Sequence, residues 1–241
     1  MTPILFYGVE YGSSFGSIVA LEKLGQPYRL CRIEMPKESQ SAAYKSINPV
    51  GEVPALITGT GEVLTESVAI LHHIAVRGID KGLGFRNEAD HDRFVQVLAF
   101  LNSRYFSAFN PLWFSVEFGE DNEQKTALRA EGKALVEIAT TKLEALLGKR
   151  KWLMGENLTI ADAYYAGVAR WNDIHKVVDW ARYPRAKELF DRTEQDSAVR
   201  FAHGIEDGED VRSDAFQGHI ALENAIGQRV AIGTSKSTAR G

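Results

Sequence analysis

The stretch "PILFYGVEYGSSFGSIVALEKLGQPYRLCRIEM", residues 3–35, decides the fold of the first half of the chain. Residues 3–7 form a short apolar run that is typical of a buried strand. Apolar residues then recur at near-helical spacing: Phe15, Ile18, Val19, Leu21 and Leu24. Gly25 and Pro27 stop this helix, because glycine adopts the left-handed conformation cheaply and proline cannot continue a helix. Residues 28–35 begin a second strand, so the stretch predicts a β-α-β unit.

The residues after this unit complete a small α/β domain. A polar stretch, 36–52, precedes "VPALIT" (53–58) and "EVLT" (62–65), which flank a "GTG" turn and indicate a hairpin. A helical pattern follows over residues 66–77. The order β, α, β, then β, β, α predicts a sandwich with one parallel pair and one antiparallel hairpin. We therefore expect a thioredoxin-like α/β domain over residues 1–78.

The composition changes after residue 78. Residues 79–87 are rich in glycine and charge and are interpreted as a linker. Long helical patterns dominate residues 88–205, which predicts an all-α helical bundle. One of its helices has a clear start, with Thr159 as N-cap and Asp162 as the acidic partner in a capping box. Residues 206–241 are polar and punctuated by glycine, so we expect an irregular C-terminal tail.

The bulk composition excludes several classes of function. The net charge of −4 gives no reason to expect nucleic acid as a partner. The single cysteine, Cys31, has no partner for an internal disulfide, and the N-terminus resembles no signal peptide, which favours a cytoplasmic protein. No apolar run approaches the ~20 residues that cross a bilayer, so no membrane association is expected. The six histidines show no metal-type spacing, and no metal is expected.

The motif "NPVGEVPAL", residues 48–56, is the first candidate for ligand binding. Pro54 lies at the start of a strand, where a missing N–H is tolerated. A cis bond before Pro54 would turn the backbone N–H and C=O of Val53 outward as an edge for an extended peptide. The alternative is a plain strand entry.

The second candidate is "TES", residues 65–67, between a strand and a helix. The free N–H groups of the helix start and the Ser67 hydroxyl suit a carboxylate, while Glu66 suits an ammonium group. Together they would recognise the α-amino acid end of a ligand. The alternative is N-capping of the helix by Thr65 or Ser67.

These motifs, with "LTIADAYYAGVARW" in the helical half, resemble the cytosolic glutathione transferase family over residues 3 to about 205. The resemblance is to bacterial, beta-like members with serine in place of the catalytic cysteine. It implies glutathione as cosubstrate and a homodimer. It also implies that glutathione contacts Val53, Pro54, Glu66 and Ser67, and that Lys37 lies near the tripeptide.

The resemblance implies that a hydroxyl group in the turn after the first strand stabilises the glutathione thiolate. Ser13 has the spacing from Gly25 at which beta-like members carry a cysteine, and it is our first choice. Tyr7 stands at the distance where tyrosine-dependent classes place their donor, and Ser14 is one residue off and better suited to cap the helix. A free thiol has a pKa near ~8.5, and one hydroxyl bond to the anion contributes ~1.5 to 3 kcal/mol, so no charged base is required.

The sequence departs from the beta-like pattern at two positions. Ser13 replaces the cysteine, which makes disulfide exchange with glutathione an unexpected reaction. Phe106 stands where beta members carry a histidine. Phe106 and Trp113 are seven residues apart and could share a helix face that lines an apolar electrophile pocket beside the thiol. The alternative is that both are core aromatics.

The sequence thus predicts a glutathione S-transferase that conjugates the thiolate to a small apolar electrophile. Two alternatives stay open. One is a non-enzymatic glutathione-binding or interaction module of the same fold. The other is a glutathione-dependent dehalogenase, ether-cleaving enzyme or isomerase.

Overall fold

The structure, a computed structural model, describes the backbone of residues 1–8, 10–117 and 120–238. The chain divides into two compact units. The first comprises Met1–Arg77 together with Ser197–Gly241, and the second comprises Gly78–Asp196. In chain order the elements are β1 (Ile4–Tyr7), α1 (Ser14–Leu24), β2 (Tyr28–Arg32), α2 (Ala42–Lys45), β3 (Ala55–Ile57), β4 (Val63–Thr65), α3 (Ser67–Arg77), α4 (Glu88–Phe100), α5 (Asn110–Glu117), α6 (Glu123–Leu147), α7 (Ile160–Ala169), α8 (Trp171–His175), α9 (Pro184–Glu194), α10 (Ser197–Glu206), β5 (Phe216–His219) and α11 (Leu222–Thr238).

The first unit is built on a sheet with the strand order β4-β3-β1-β2-β5. Strands β1 and β2 are parallel, as the β-α-β pattern requires, and β3 pairs with both β1 and β4 in antiparallel register. Helix α1 ends at Gly25, which has a left-handed φ of 63°. The predicted stop at Gly25 is therefore the observed one.

Each face of this sheet carries apolar side chains under helices. One face buries Phe6 and Ile57 in a core cluster with Tyr44 and with Leu222 of α11. On the opposite side, α1 packs against α3 and α10. The first unit is an α/β thioredoxin-like domain, as the sequence predicts.

The prediction of an irregular tail at residues 206–241 is wrong for most of its length. Strand β5 extends the sheet beside β2, and helix α11 packs against α2. Ile220, Leu222 and Ala225 are buried in the core cluster. The segment gains this order because its few apolar side chains complete a core that is built mainly from residues far away in sequence.

The second unit is all α-helical in its described residues, apart from one isolated bridge between Trp152 and Gly155. A π-helical turn, Leu101–Phe106, and a 3-10 turn, Ser107–Phe109, join α4 to α5 without a break. The predicted linker at residues 79–87 begins with a 3-10 turn, Ile79–Lys81. Its Leu83 is buried, with 6% of its surface exposed, so this segment contributes to the packing of the unit.

The capping box that the sequence predicts at the start of α7 is present. The N–H and the hydroxyl of Thr159 both donate to Asp162 Oδ2, at 2.8 and 2.9 Å. The N–H of Leu153 donates to the other oxygen of Asp162 at 2.8 Å. Burial raises the pKa of Asp162 to about 6, against three donors that favour the anion.

Candidate functional site

The register of the sheet brings two of the predicted binding segments to one edge. Ala55 pairs with Thr65 across β3 and β4. Val53 and Pro54 directly precede Ala55, and Glu66 and Ser67 directly follow Thr65, so the two segments leave this antiparallel pair at the same end. The two motifs therefore meet at the end of the sheet where β1 and β2 also finish.

Ser13 joins this edge from the start of α1. It is the N-cap residue of the helix, is half-buried, and makes no side-chain capping bond. Its Oγ instead donates a long hydrogen bond of 3.4 Å to the carbonyl oxygen of Val53. A hydroxyl held only by a bond of this length exchanges it readily for a stronger acceptor, such as an anionic sulfur.

Val53 presents its backbone at the same place. The peptide bond between Val53 and Pro54 is cis, Val53 is half-buried, and Pro54 is buried. Within the described part of the chain, the N–H of Val53 has no hydrogen-bond acceptor. A backbone donor of this kind at a half-exposed position suits an extended peptide ligand.

Glu66 and Ser67 begin helix α3. The carbonyl of Glu66 accepts from the N–H of Ile70 at 3.0 Å, so Glu66 occupies the N-cap position that the sequence had offered to Thr65 or Ser67. Its φ of 69° lies in the left-handed region, and its side chain is exposed. The first N–H groups of α3 have no partner within the helix and form an anion-binding end.

Tyr7 lies apart from this edge because of where its side chain points. It is 4% exposed, and its hydroxyl is 2.9 Å from Nε2 of His219 on β5. Strand β2 lies between β1 and β5, so the backbones of Tyr7 and His219 are about 10 Å apart. The phenol ring of Tyr7 must therefore extend across β2 to reach His219. Val53 is on the opposite side of β1, so the Tyr7 hydroxyl is directed away from it. Burial, the largest cause, raises the pKa of Tyr7.

Ser14 is the first residue of α1 and does not cap it. Only 1% of its surface is exposed, and its Oγ has no hydrogen-bond partner among the described residues. The placement gives a ligand no access to this hydroxyl. Of the three hydroxyls that the sequence offered, Ser13 alone is close to Val53.

Lys37, which the resemblance places near the tripeptide, forms an exposed ion pair. Its Nζ pairs with Glu34 at 3.3 Å, and its side chain is 81% exposed. A cavity of about 420 Å³ lies nearby, at the ends of β1 and β2, and is lined by Gly8, Arg32, Glu34 and three further residues. Arg32 supplies the cation of this lining. The sequence does not indicate it, because a single arginine at a strand end carries no signal of function.

Phe106 and Trp113 belong to the second unit, and both pack against the ring of Trp171. Their centroids are 5.0 and 5.4 Å from that of Trp171, and both contacts are edge-on. Phe106 and Trp113 are half-buried, whereas Trp171 is 3% exposed. The pair therefore has a buried support and part of its surface left open, which fits an apolar contact surface.

The described residues also bear on metal binding and membrane crossing. They contain no group of three or more histidine, cysteine, aspartate or glutamate side chains arranged to hold a metal ion. The same residues include no helix with the length and apolarity that a membrane crossing needs. Cys31 is buried in β2, where burial raises the pKa of its thiol to about 12, so it is not a reactive thiolate.

Known proteins match both units of the chain. The model of the glutathione S-transferase N-terminal domain matches residues 1–76, and that of the glutathione S-transferase C-terminal domain matches residues 99–196. The glutathione S-transferase GstA of Escherichia coli O157:H7 is 29% identical over 161 residues, which cover 66% of this chain and 77% of that protein.

Solved structures give the same result. A glutathione transferase from Methylococcus capsulatus has a TM-score of 0.75 and 27% identity, and the match covers 86% of this chain and 99% of that one. A sphingomonad glutathione S-transferase complexed with glutathione has a TM-score of 0.73 and 26% identity, with 85% and 98% covered. The fold and the matches to both units define a transferase of two domains. This chain belongs to the glutathione S-transferase family and is a glutathione transferase.

Proposed function

We propose that the protein conjugates glutathione to a small apolar electrophile, with Ser13 as the donor that stabilises the thiolate. The observation that carries this proposal is the 3.4 Å contact between Ser13 Oγ and the Val53 carbonyl. It puts a weakly held hydroxyl beside the backbone that suits a peptide ligand. The direction of the Tyr7 side chain and the burial of Ser14 support Ser13 over both alternatives.

The tripeptide extends from Val53 to the start of α3. The cysteinyl unit forms main-chain bonds to Val53 over the cis Val53–Pro54 peptide. The carboxylate of the γ-glutamyl end binds the N-terminus of α3 and the Ser67 hydroxyl, and its ammonium group pairs with Glu66. The glutathione complex of the sphingomonad relative supports glutathione as the cosubstrate.

The glycyl end of glutathione carries a carboxylate, which needs a cationic partner. Lys37 is paired with Glu34 and exposed, so its contribution is small. Arg32 lines the cavity beside Gly8 and is the better placed of the two cations. We assign the glycyl carboxylate to Arg32 and keep Lys37 as a secondary partner.

Thiolate stabilisation requires little energy. Lowering the thiol pKa by one unit takes about 1.4 kcal/mol of preference for the anion. A hydroxyl bond to an anion contributes ~1.5 to 3 kcal/mol, and the positive end of helix α1 adds ~0.3 to 1 kcal/mol. Ser13 with its helix therefore accounts for about one to three units of depression without a charged base.

The second substrate and the assembly complete the proposal. Phe106 and Trp113 bind the apolar part of the electrophile, supported by Trp171. The protein acts as a cytoplasmic homodimer, as the family resemblance implies.

Calorimetry with glutathione tests the binding assignment. Glu66→Gln and Ser67→Ala should each weaken binding, by about tenfold for Glu66→Gln, because a charged hydrogen bond contributes ~1.5 to 3 kcal/mol. Glu62→Gln is the matched control, since Glu62 is an equally exposed glutamate on the preceding hairpin. Wild-type affinity in both site variants would remove the assignment.

A further inference from the structure

The C-terminal segment, residues 206–219, makes one contact with the end of β1 and one with the opening turn, residues 10–12. His219 Nε2 meets the Tyr7 hydroxyl at 2.9 Å, just before the turn. Within the turn, Glu206 Oε2 accepts a 3.3 Å bond from the N–H of Tyr11. Tyr11 has a φ of 57°, a left-handed conformation that a tyrosine holds only when its surroundings impose it. Ser13 follows directly after this turn.

A bulge in β5 aims His219 at Tyr7. The register of β5 on β2 shifts between Phe216 and His219, and Gly218 in this interval has a φ of 83°. In a regular strand residues three apart point to opposite faces, but the bulge returns His219 to the face of Phe216. The two rings confirm this, with centroids 5.3 Å apart and an edge-on contact.

Strand β5 is fixed to β2 on both sides of the bulge. The N–H of Tyr28 donates to Ala215 at 3.0 Å, and that of Ile220 donates to Leu30 at 2.9 Å. Phe216 also packs against Phe201 of α10 with centroids 5.5 Å apart. His219 is thus presented from a rigid support, although the side chain itself is largely exposed.

The His219 side of this contact lies outside the segments that the family models match. The two family models end at residues 76 and 196, before the C-terminal segment begins. The match to the Methylococcus structure includes 99% of that structure but 86% of this chain. About a seventh of this chain therefore has no counterpart in that structure. Neither a family resemblance nor the local sequence "FQGH" indicates a role for His219.

We propose that His219 is a positioning residue which, through Tyr7 and together with the Glu206–Tyr11 bond, holds the opening turn so that Ser13 faces the thiol of glutathione. Loss of the His219–Tyr7 bond from either side removes the tie between the end of β1 and β5, so the turn that follows Tyr7 is held less firmly. The segment serves thiolate formation and not tripeptide binding, because Val53, Glu66 and Ser67 lie outside its contacts. The inference rests on the proposed role of Ser13.

The experiment measures the pKa of the bound glutathione thiol from thiolate absorbance against pH. In His219→Ala and in Tyr7→Phe the pKa should rise by about one unit, a tenfold loss of thiolate at low pH. The double variant should show no further rise, since His219 acts through Tyr7. His219→Gln retains an amide partner for the hydroxyl and should recover most of the wild-type value. Glutathione affinity, measured at a pH low enough for the bound thiol to be neutral in every variant, should stay within about twofold in all of them.

Gln217→Ala is the matched control, because Gln217 is exposed on the same strand and its side chain bonds only to the Asp214 carbonyl within the described residues. It should leave the thiol pKa unchanged. An equal rise in Gln217→Ala would overturn the proposal, since β5 would then act only as a structural strand. An unchanged pKa in His219→Ala and Tyr7→Phe, or a loss of glutathione affinity without a pKa change, would overturn it as well.

Ser13→Ala distinguishes a failure of the proposed role of Ser13 from a failure of the proposed role of His219. If Ser13→Ala leaves the thiol pKa unchanged, the proposed role of Ser13 fails, and this inference fails with it. If Ser13→Ala raises the pKa and His219→Ala does not, only the positioning role fails. Tyr7→Phe keeps the inference testable if His219→Ala does not fold.

Discussion

Glu66 holds a left-handed backbone at the proposed glutathione site, and replacing it with glycine should separate stability from binding. The left-handed conformation costs a non-glycine residue ~1 to 2 kcal/mol. Glycine removes this cost but loses ~0.5 to 1 kcal/mol more entropy on folding, so the net gain is about 0.5 to 1 kcal/mol. The Glu66 side chain is exposed, so its removal sacrifices no packing. We expect Glu66→Gly to unfold roughly 1–4 °C higher than the wild type.

Glutathione binding should change in the opposite direction. The variant lacks the carboxylate that pairs with the γ-glutamyl ammonium group, a charged interaction of ~1.5 to 3 kcal/mol. The dissociation constant should therefore rise by about ten- to 150-fold. Thermal unfolding without ligand and calorimetry with glutathione measure the two effects on the same preparation.

Lys176→Gly is the matched control. Lys176 is also an exposed residue with a positive φ, 53°, but it ends α8 in the second unit. It should gain similar stability and bind glutathione like the wild type. Wild-type glutathione affinity in Glu66→Gly would refute the binding argument. A gain of stability in Lys176→Gly but not in Glu66→Gly would refute the strain argument.

Two further predictions follow from the second unit. Phe106→Ala and Trp113→Ala should each raise KM for an apolar electrophile several-fold and leave KM for glutathione unchanged. Phe114 is 56% exposed on the same helix as Trp113, and Phe114→Ala should change neither KM. Steady-state kinetics with both substrates varied checks this, and equal effects in all three variants would contradict it. Burial raises the pKa of Asp162 from an ordinary 3.8 to about 6. Between these two values the folded state holds a proton that the unfolded state releases. The free energy of unfolding should therefore fall as pH rises from about 4 to 6. Denaturant titrations should show this part of the slope abolished in Asp162→Asn, and an unchanged slope would mean that the three donors keep Asp162 ionised.

The local elements of the fold were predictable because their signals lie within a few residues. The capping box of Thr159 and Asp162 and the helix stop at Gly25 are written in contiguous sequence, and both are observed. The β-α-β unit predicts the parallel pair of β1 and β2 in the same way. The hairpin of β3 and β4 then brings the segments that contain Val53 and Ser67 to the same end of the sheet.

Contacts between distant residues were not predictable from one sequence. Tyr7 and His219 are 212 positions apart, and "FQGH" has neither the alternation nor the β-branched residues of a typical strand. Only the pairing with β2 and the bulge at Gly218 make it a strand. The choice among Tyr7, Ser13 and Ser14 could not be made from the sequence, because the Tyr7–His219 contact decides where the Tyr7 hydroxyl points.

The pKa of the glutathione thiol bound to Ser13→Ala tests the central claim most directly. Thiolate absorbance should show a rise of about one to two units toward the free value of ~8.5, with glutathione affinity nearly unchanged. Ser17→Ala, which removes a fully buried hydroxyl without a partner in the described chain, should leave the thiol pKa as it is in the wild type. A wild-type thiol pKa in Ser13→Ala would contradict the account.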